Sequence, residues 1–364
     1  MSLNIGIVGL PNVGKSTIFN TLTKSKTATV ANYPFCTIDP NIGIVEVPDP
    51  RLKLLAEVSL SEKIIPAVVR FVDIAGIVKG ASRGEGLGNK FLAHIRECDA
   101  IAHVIRGFDD PNVTHVHGTV DPKSDKEIIE SELLIADMET LDKRLDKARS
   151  DAKSGQQDKK DYLDFLERVY ETLSAGGLVT NMDLSKEEKL IIRDLHLLTM
   201  KPNLYIINIY EAKLKTFDRE KTTKALGLTD INSVIPISAK VEQELLDFNE
   251  EEAKEYMNSL GIKSSGLDLL IVSAYKLLGL ITYFTSGPKE TRAWTIKKGT
   301  LAPQAAGVIH TDFEKGFIKA EVINWKDLVD LGGEAKVKEK GLMRLEGKDY
   351  EVRDGDTMHF KFSA

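Results

Sequence analysis

The chain has 364 residues, 42% hydrophobic and 29% charged, the balance of a soluble globular protein. That length exceeds one ordinary hydrophobic core and predicts two or three domains. A net charge of −6 excludes a protein that coats nucleic acid by bulk electrostatics and leaves room only for a local basic face.

Cys36 and Cys98 stand far apart, with no His or Cys at metal-ligand spacing, so neither a zinc site nor a disulfide framework is expected. A reducing cytoplasm fits best. The apolar run at residues 3–10 is too short for a membrane span and lacks the pattern of a signal peptide. It predicts the first core strand, and no membrane partner.

Directly after it stands Gly9-Leu10-Pro11-Asn12-Val13-Gly14-Lys15-Ser16-Thr17, which reads G-x-x-x-x-G-K-[ST] and precedes the helical pattern Ile18, Phe19, Leu22. Strand, glycine loop and helix in this order make a phosphate cradle. The glycines let successive N–H groups turn inward, and the helix points its positive end at the same place. Lys15 is placed to reach the β- and γ-phosphates as a catalytic cation. Ser16 offers a hydroxyl to Mg²⁺.

Residues 24–41 contain two prolines and little periodicity, hence a loop. In switch GTPases such a loop carries a Thr that completes the Mg²⁺ shell, and Thr37 is the best placed. Residues 42–48 and 64–72 are short and β-branched, predicting two strands. The second ends on Asp73-Ile74-Ala75-Gly76, a D-x-x-G whose carboxylate would hold a metal-bound water while the Gly76 N–H approaches the γ-phosphate. Ile77 then stands where many GTPases place Gln, and it has no polar atom to orient the attacking water. Unaided hydrolysis should therefore be slow. His115 and His117 are candidates within the chain for the missing group, His115 the first of them.

Ala100 to Ile105 predicts another strand. Leu134, Met138, Leu141, Leu145, Ala148 and Ala152 then recur at alternating spacings of four and three. After a polar turn, Tyr162, Leu166, Val169 and Leu173 follow suit. Two antiparallel helices packed along this seam are expected, within a helical insert at 126–198. The strand Leu204 to Ile209 ends on Asn208-Ile209-Tyr210-Glu211, an N-x-x-E where a guanine-specific site would place N-K-x-D. Asn208 can still reach N7 of either purine, and the altered acid no longer enforces guanine. Ser238-Ala239-Lys240 closes over the base.

Residues 241–260 are acidic and helical, and Leu267 to Leu278 forms an apolar helix leading to a boundary near residue 280. Beyond it, Ala293–Ile296, Gly307–His310, Phe317–Val322 and Met358–Phe362 predict short strands between turns. This part carries a charge of about +1, and Lys336, Lys338, Lys340, Arg344 and Lys348 could line an RNA backbone, or simply a solvated face.

With these motifs in hand the sequence resembles the YchF family, also called Obg-like ATPases, among the translation-factor-related P-loop GTPases. The resemblance covers nearly the whole chain. It rests on the loop at 9–17, N-Y-P-F-C-T-I-D-P-N at 32–41, F-V-D-I-A-G at 71–76, G-E-G-L-G-N at 84–89, N-x-x-E at 208–211 and H-T-D-F-E-K-G-F at 310–317. It implies an α/β fold: an Obg-type G domain over 1–280 with an inserted antiparallel coiled-coil hairpin, and a C-terminal TGS domain of β-grasp, ubiquitin-like fold over 281–364.

The implied activity is binding and hydrolysis of ATP at least as readily as GTP, with Mg²⁺, in association with the ribosome or nucleic acid. The implied nucleotide contacts are Asn12, Val13, Gly14, Lys15, Ser16 and Thr17, with Gly76. Base contacts fall on or beside Asn208, Ile209 and Glu211. The metal contacts are Ser16 and Thr37, with Asp73 through water. Asn12 matches a loop residue that in K⁺-stimulated relatives helps hold potassium, and Asp39 stands where the family would have Glu. Two rival readings remain: a guanine-specific switch, and a module whose nucleotide gates ribosome or RNA contact without hydrolysis.

Overall fold

The computed structural model describes residues 3–26, 41–74, 86–110 and 120–363. Thr37, Gly76, Ile77, His115 and His117 lie outside the described residues. The strands are β1 (Asn4–Gly9), β2 (Ile42–Glu46), β3 (Lys63–Ile65), β4 (Val68–Asp73), β5 (Ala100–Arg106) and β6 (Asn203–Asn208). They continue with β7 (Val234–Ile237), β8 (Leu280–Ser286), β9 (Glu290–Lys297), β10 (Phe317–Asn324), β11 (Arg344–Glu346) and β12 (Asp356–Phe362). They form two six-stranded sheets in two compact units. Among the described residues the first unit takes 3–25, 41–43 and 70–270, and the second takes 44–69 and 271–363.

The first sheet runs β2-β4-β1-β5-β6-β7, with parallel pairing of β1 to β4 and β5, of β5 to β6, and of β6 to β7. A parallel sheet covered on both faces demands continuous apolar runs, and β5 has every residue buried. Ligands of such sheets bind beyond the carboxyl ends of the strands. Here those ends deliver the phosphate loop after β1, Asp73 at the end of β4, Arg106 at the end of β5 and Asn208 at the end of β6.

The long helix Pro122–Ala152 serves two cores. Its start is capped by the Asp121 side chain and fixed by Pro122. Near that start Lys126 pairs with Glu130 at 2.7 Å, and Glu130 accepts the Tyr205 hydroxyl of β6 at 2.9 Å. Further along, Leu141, Leu145 and Ala148 pack against Phe165, Leu166, Val169 and Leu173 of the helix Gln157–Ser174. The predicted seam is therefore present, but it is not a closed two-helix interface. Val179, Leu184, Ile192, Leu195 and Leu197 from the returning chain join the same cluster, and Leu134 and Met138 reach only its partly buried margin.

Asp137, 1% exposed, anchors that return. It accepts the N–H of Leu198 at 2.8 Å and both the N–H and hydroxyl of Thr199 at 2.7 Å. Burial raises its pKa, while the three donors and Arg96 pull the other way.

In the second unit the sheet runs β11-β10-β12-β8-β9-β3, with antiparallel β8–β9, β10–β11 and β10–β12 and parallel β12–β8 and β3–β9. The helix Ala302–Ile309 packs Ala302, Ala305 and Ala306 on Tyr283, Phe317, Val322, Met358 and Phe360.

Two expectations are corrected. Residues 64–72 are not one strand: Pro66 has no N–H for a ladder, and the run splits into β3 of the second sheet and β4 of the first. The second unit accordingly gains residues 44–69 besides the end of the chain. The segment Gly307–His310 is not a strand, because Pro303 near the helix start and three buried alanines make 302–309 helical. In the Lys336–Lys348 stretch, read as a basic or a solvated face, two of the cations are paired with acids. Lys338 pairs with Glu334 at 2.7 Å, and Arg344 contacts Glu346 at 2.9 Å and Asp356 at 3.3 Å.

Replacing Asp137 by Ala should destabilise the first unit by roughly 2–4 kcal/mol, because three buried donors lose their acceptor. Urea denaturation of the variant checks this, and a loss under about 0.5 kcal/mol, within the range of a surface substitution, would show the return to be held elsewhere.

Candidate nucleotide site

Asn12 and Gly14 have φ values of 63° and 95°, both left-handed, the kind of turn that lets neighbouring N–H groups converge on an anion. Asn tolerates this conformation better than other side chains do. At Gly14 the requirement is stricter still, since a Cβ there would lie 2.3 Å from Nδ2 of Asn208. The helix Lys15–Lys26 follows, its first turn closed by the Ile18 N–H to the Gly14 carbonyl at 3.0 Å.

Lys15 is 9% exposed and pairs with Asp73, so the cation expected at the phosphates and the carboxylate expected at the metal are brought together. Ser16 is exposed and Thr17 half-buried at the same helix start. Val13 is fully buried. Its part in the site is played by the main chain, and its carbonyl accepts from Asn208 Nδ2 at 2.9 Å.

Two base-contact expectations change. Asn208 is 4% exposed, and its Oδ1 also accepts the Ala239 N–H at 3.1 Å. Both ends of its amide brace the protein, leaving one Nδ2 hydrogen and one lone pair for anything else. Ile209 is a core residue, packed with Ile105, Tyr205 and Leu226, and its N–H is bonded to the Ile237 carbonyl at 2.8 Å. Glu211 is where the motif placed it, half-open to solvent, with Oε2 2.9 Å from Lys240 Nζ. Glu211 raises the pKa of Lys240, the hydrogen bond first and the charge second.

Arg106 escaped the sequence reading because a lone Arg at a strand end carries no motif. It is 1% exposed, and its guanidinium donates to the Phe108 carbonyl at 3.0 Å and the Asp110 carbonyl at 3.3 Å. It also lies 4.6 Å from the Phe108 ring centroid. Phe108 in turn sits 5.4 Å from the Tyr210 ring, and the Tyr210 hydroxyl donates to the Asp109 carbonyl. The segment after β5 is thus tied to the N-x-x-E. His103 lies buried inside β5, where burial first, and then Lys126, hold its pKa down to about 3.

Residues 4–143 match the MMR_HSR1 family, described as a 50S ribosome-binding GTPase, and residues 280–363 match YchF-GTPase_C, described as a protein of unknown function. Over the whole length of both proteins the chain is 49% identical to the ribosome-binding ATPase YchF of Bacillus subtilis (strain 168). The chain belongs to the YchF family. It is equally 49% identical to the YchF of Escherichia coli O157:H7, again over all of both chains. The structure of the YchF GTPase of Schizosaccharomyces pombe matches with a TM-score of 0.88 and 43% identity, covering 99% of this chain and 98% of that one. A GTP-binding protein of Pyrococcus horikoshii OT3, 21% identical with a TM-score of 0.57, covers 99% of this chain and 100% of its own and shares the fold alone. Membership of the YchF family and the match over residues 4–143 show a P-loop G domain that binds nucleotide, and no described helix is long and apolar enough to cross a membrane.

Lys15→Ala should weaken triphosphate binding by roughly a hundredfold through loss of a buried charged contact, with the circular dichroism spectrum retained. Unaltered ATP affinity in that variant would refute the site. Asn208→Ala should lower stability by about 2–3 kcal/mol, since Val13 and Ala239 each lose a buried partner; thermal or urea unfolding measures it.

Proposed function

We propose that this protein binds and hydrolyses ATP, accepts GTP, and works on the ribosome in the cytoplasm. The observation that carries the reading is the left-handed Asn12–Gly14 cradle with Lys15 and Asp73 at the carboxyl edge of a parallel sheet. The names of the relatives, ribosome-binding ATPases at 49% identity, support ATP as substrate and the ribosome as partner.

The donors at the cradle suit Mg²⁺: a serine hydroxyl and a carboxylate are hard oxygen ligands, Ser16 following Lys15 in the chain and Asp73 pairing with it. Ser16 and Thr37 would hold the ion, with Asp73 through water, and Mg²⁺ would supply charge neutralisation on the β- and γ-phosphates. The chain's own part is positional. Main-chain N–H groups of residues 12–17 and of Gly76 orient the triphosphate and favour charge building on its oxygens. Lys15 leaves Asp73 to meet the phosphates. Ile77 gives the attacking water nothing to bond, so turnover stays slow until His115, a K⁺ ion near Asn12, or the ribosome contributes a polar group.

The helical hairpin of residues 122–174, with the packed return that follows, is assigned as the family's coiled-coil arm. Residues 281–364, which carry most of the second sheet and the helix Ala302–Ile309, are assigned as its TGS domain of β-grasp type. Both are surfaces for the ribosome or its RNA.

Dissociation constants for ATP and GTP on one preparation test the substrate. ATP should bind at least as tightly as GTP, and a preference for GTP of about tenfold or more, worth roughly 1.4 kcal/mol, retires the ATP reading. Phosphate release should rise when ribosomes and K⁺ are added; release that stays undetectable would make the protein a nucleotide-gated binder. Ile77→Gln should not restore fast hydrolysis, and a gain of roughly a hundredfold in turnover would contradict the account of the slow step.

A further inference from the structure

We infer that Lys240 sets the purine selectivity of the site by engaging Glu211, the carboxylate that stands where a guanine-specific site carries Asp. The inference rests on the base-site reading above. Glu211 occupies the fourth position of N-x-x-E, where a guanine-specific site carries Asp. A free carboxylate at the base edge accepts two hydrogen bonds from guanine, at N1–H and at the exocyclic amine. Adenine offers a lone pair at N1 and no amine on C2, so the same carboxylate repels it. An acid at this position should therefore favour guanine unless something else takes up its charge.

Lys240 does so, with Nζ 2.9 Å from Glu211 Oε2. Two further features place the lysine. Its neighbour Ala239 gives its N–H to Asn208, so the backbone that carries Lys240 is fastened to the strand end that carries Glu211. On its far side Lys240 lies 3.7 Å from Glu244 Oε1, and Glu244 accepts the Tyr256 hydroxyl through its other oxygen. The ammonium is thus held between two carboxylates.

With side chains 67% and 40% exposed, the Lys240–Glu211 pair contributes little to stability in water. A base seated beside it displaces water and strengthens its effect on whichever base edge is offered. Lys240 is consequently a selectivity residue that a stability measurement would overlook.

The test measures equilibrium affinities of the full chain with Mg²⁺ for a non-hydrolysable ATP analogue, the matching GTP analogue and inorganic triphosphate. The proteins are the wild type, Lys240→Met, Glu211→Gln and the double variant. Lys240→Met should shift the ratio of affinities toward GTP by roughly three- to tenfold, with inorganic triphosphate binding unchanged. The double variant should lose the shift, because no carboxylate remains to be released. A ratio that does not move in Lys240→Met, or that moves equally in the double variant, overturns the role of Lys240 while leaving the base site standing. If the wild type binds inorganic triphosphate as tightly as the ATP analogue, no base is read at all, and the base site falls together with this inference.

Discussion

The side chain of Asn208 is the constraint on which the site depends. It is buried at the end of β6 and joins the Val13 carbonyl in the glycine loop to the Ala239 N–H at the start of the helix after β7. One amide therefore ties the glycine loop to the segment that follows β7. Left unpaired in a buried setting, each of those groups would cost about 1–3 kcal/mol, so the three segments stay in register. The same contact explains the sequence of the loop. Asn208 approaches so closely that residue 14 can carry no Cβ, and the left-handed backbone there demands glycine independently.

Electrostatics then divide the site in two. At the glycine loop Lys15 is nearly buried and balanced by Asp73, which offsets the cost of a cation in a low-dielectric place. Beyond β6 and β7 the charges are exposed and self-compensated, with Glu211, Lys240 and Glu244 in sequence across two short helices. Relatives of this chain carry both kinds of name, ribosome-binding ATPase and GTPase.

Much of this was legible in the sequence because local chemistry and position coincide. A glycine loop between an apolar strand and an amphipathic helix has few other uses, and the N-x-x-E lies where the parallel strands end. What the sequence hid depended on long-range packing. Whether Asn208 faces a ligand or the protein interior is decided by the distance from β6 to the phosphate loop, which no local pattern encodes. Ile209 read as a base neighbour because of its place in the motif, yet burial against Ile105 and Leu226 claims its side chain. Arg106 carries no motif, and only the carbonyls of Phe108 and Asp110 give it a role. In the helical insert the spacing of Leu141, Leu145 and Ala148 was clear, but the third layer from Val179 to Leu197 lacks a seam of its own and joins through the caps that Asp137 supplies. Pro66 interrupts the run read as one strand, and the outcome, two strands in two sheets, follows only once the partners of each are known.

A crystal structure of the full chain with a non-hydrolysable ATP analogue and Mg²⁺ tests the central claim most directly. The triphosphate should lie across the main-chain amides of residues 12–17, with the Lys15 ammonium moved from Asp73 to the phosphate oxygens and the Asn208 bridge intact beneath it. A nucleotide bound elsewhere, or one bound in the cradle with Lys15 still on Asp73 or the Asn208 bridge broken, would contradict the account.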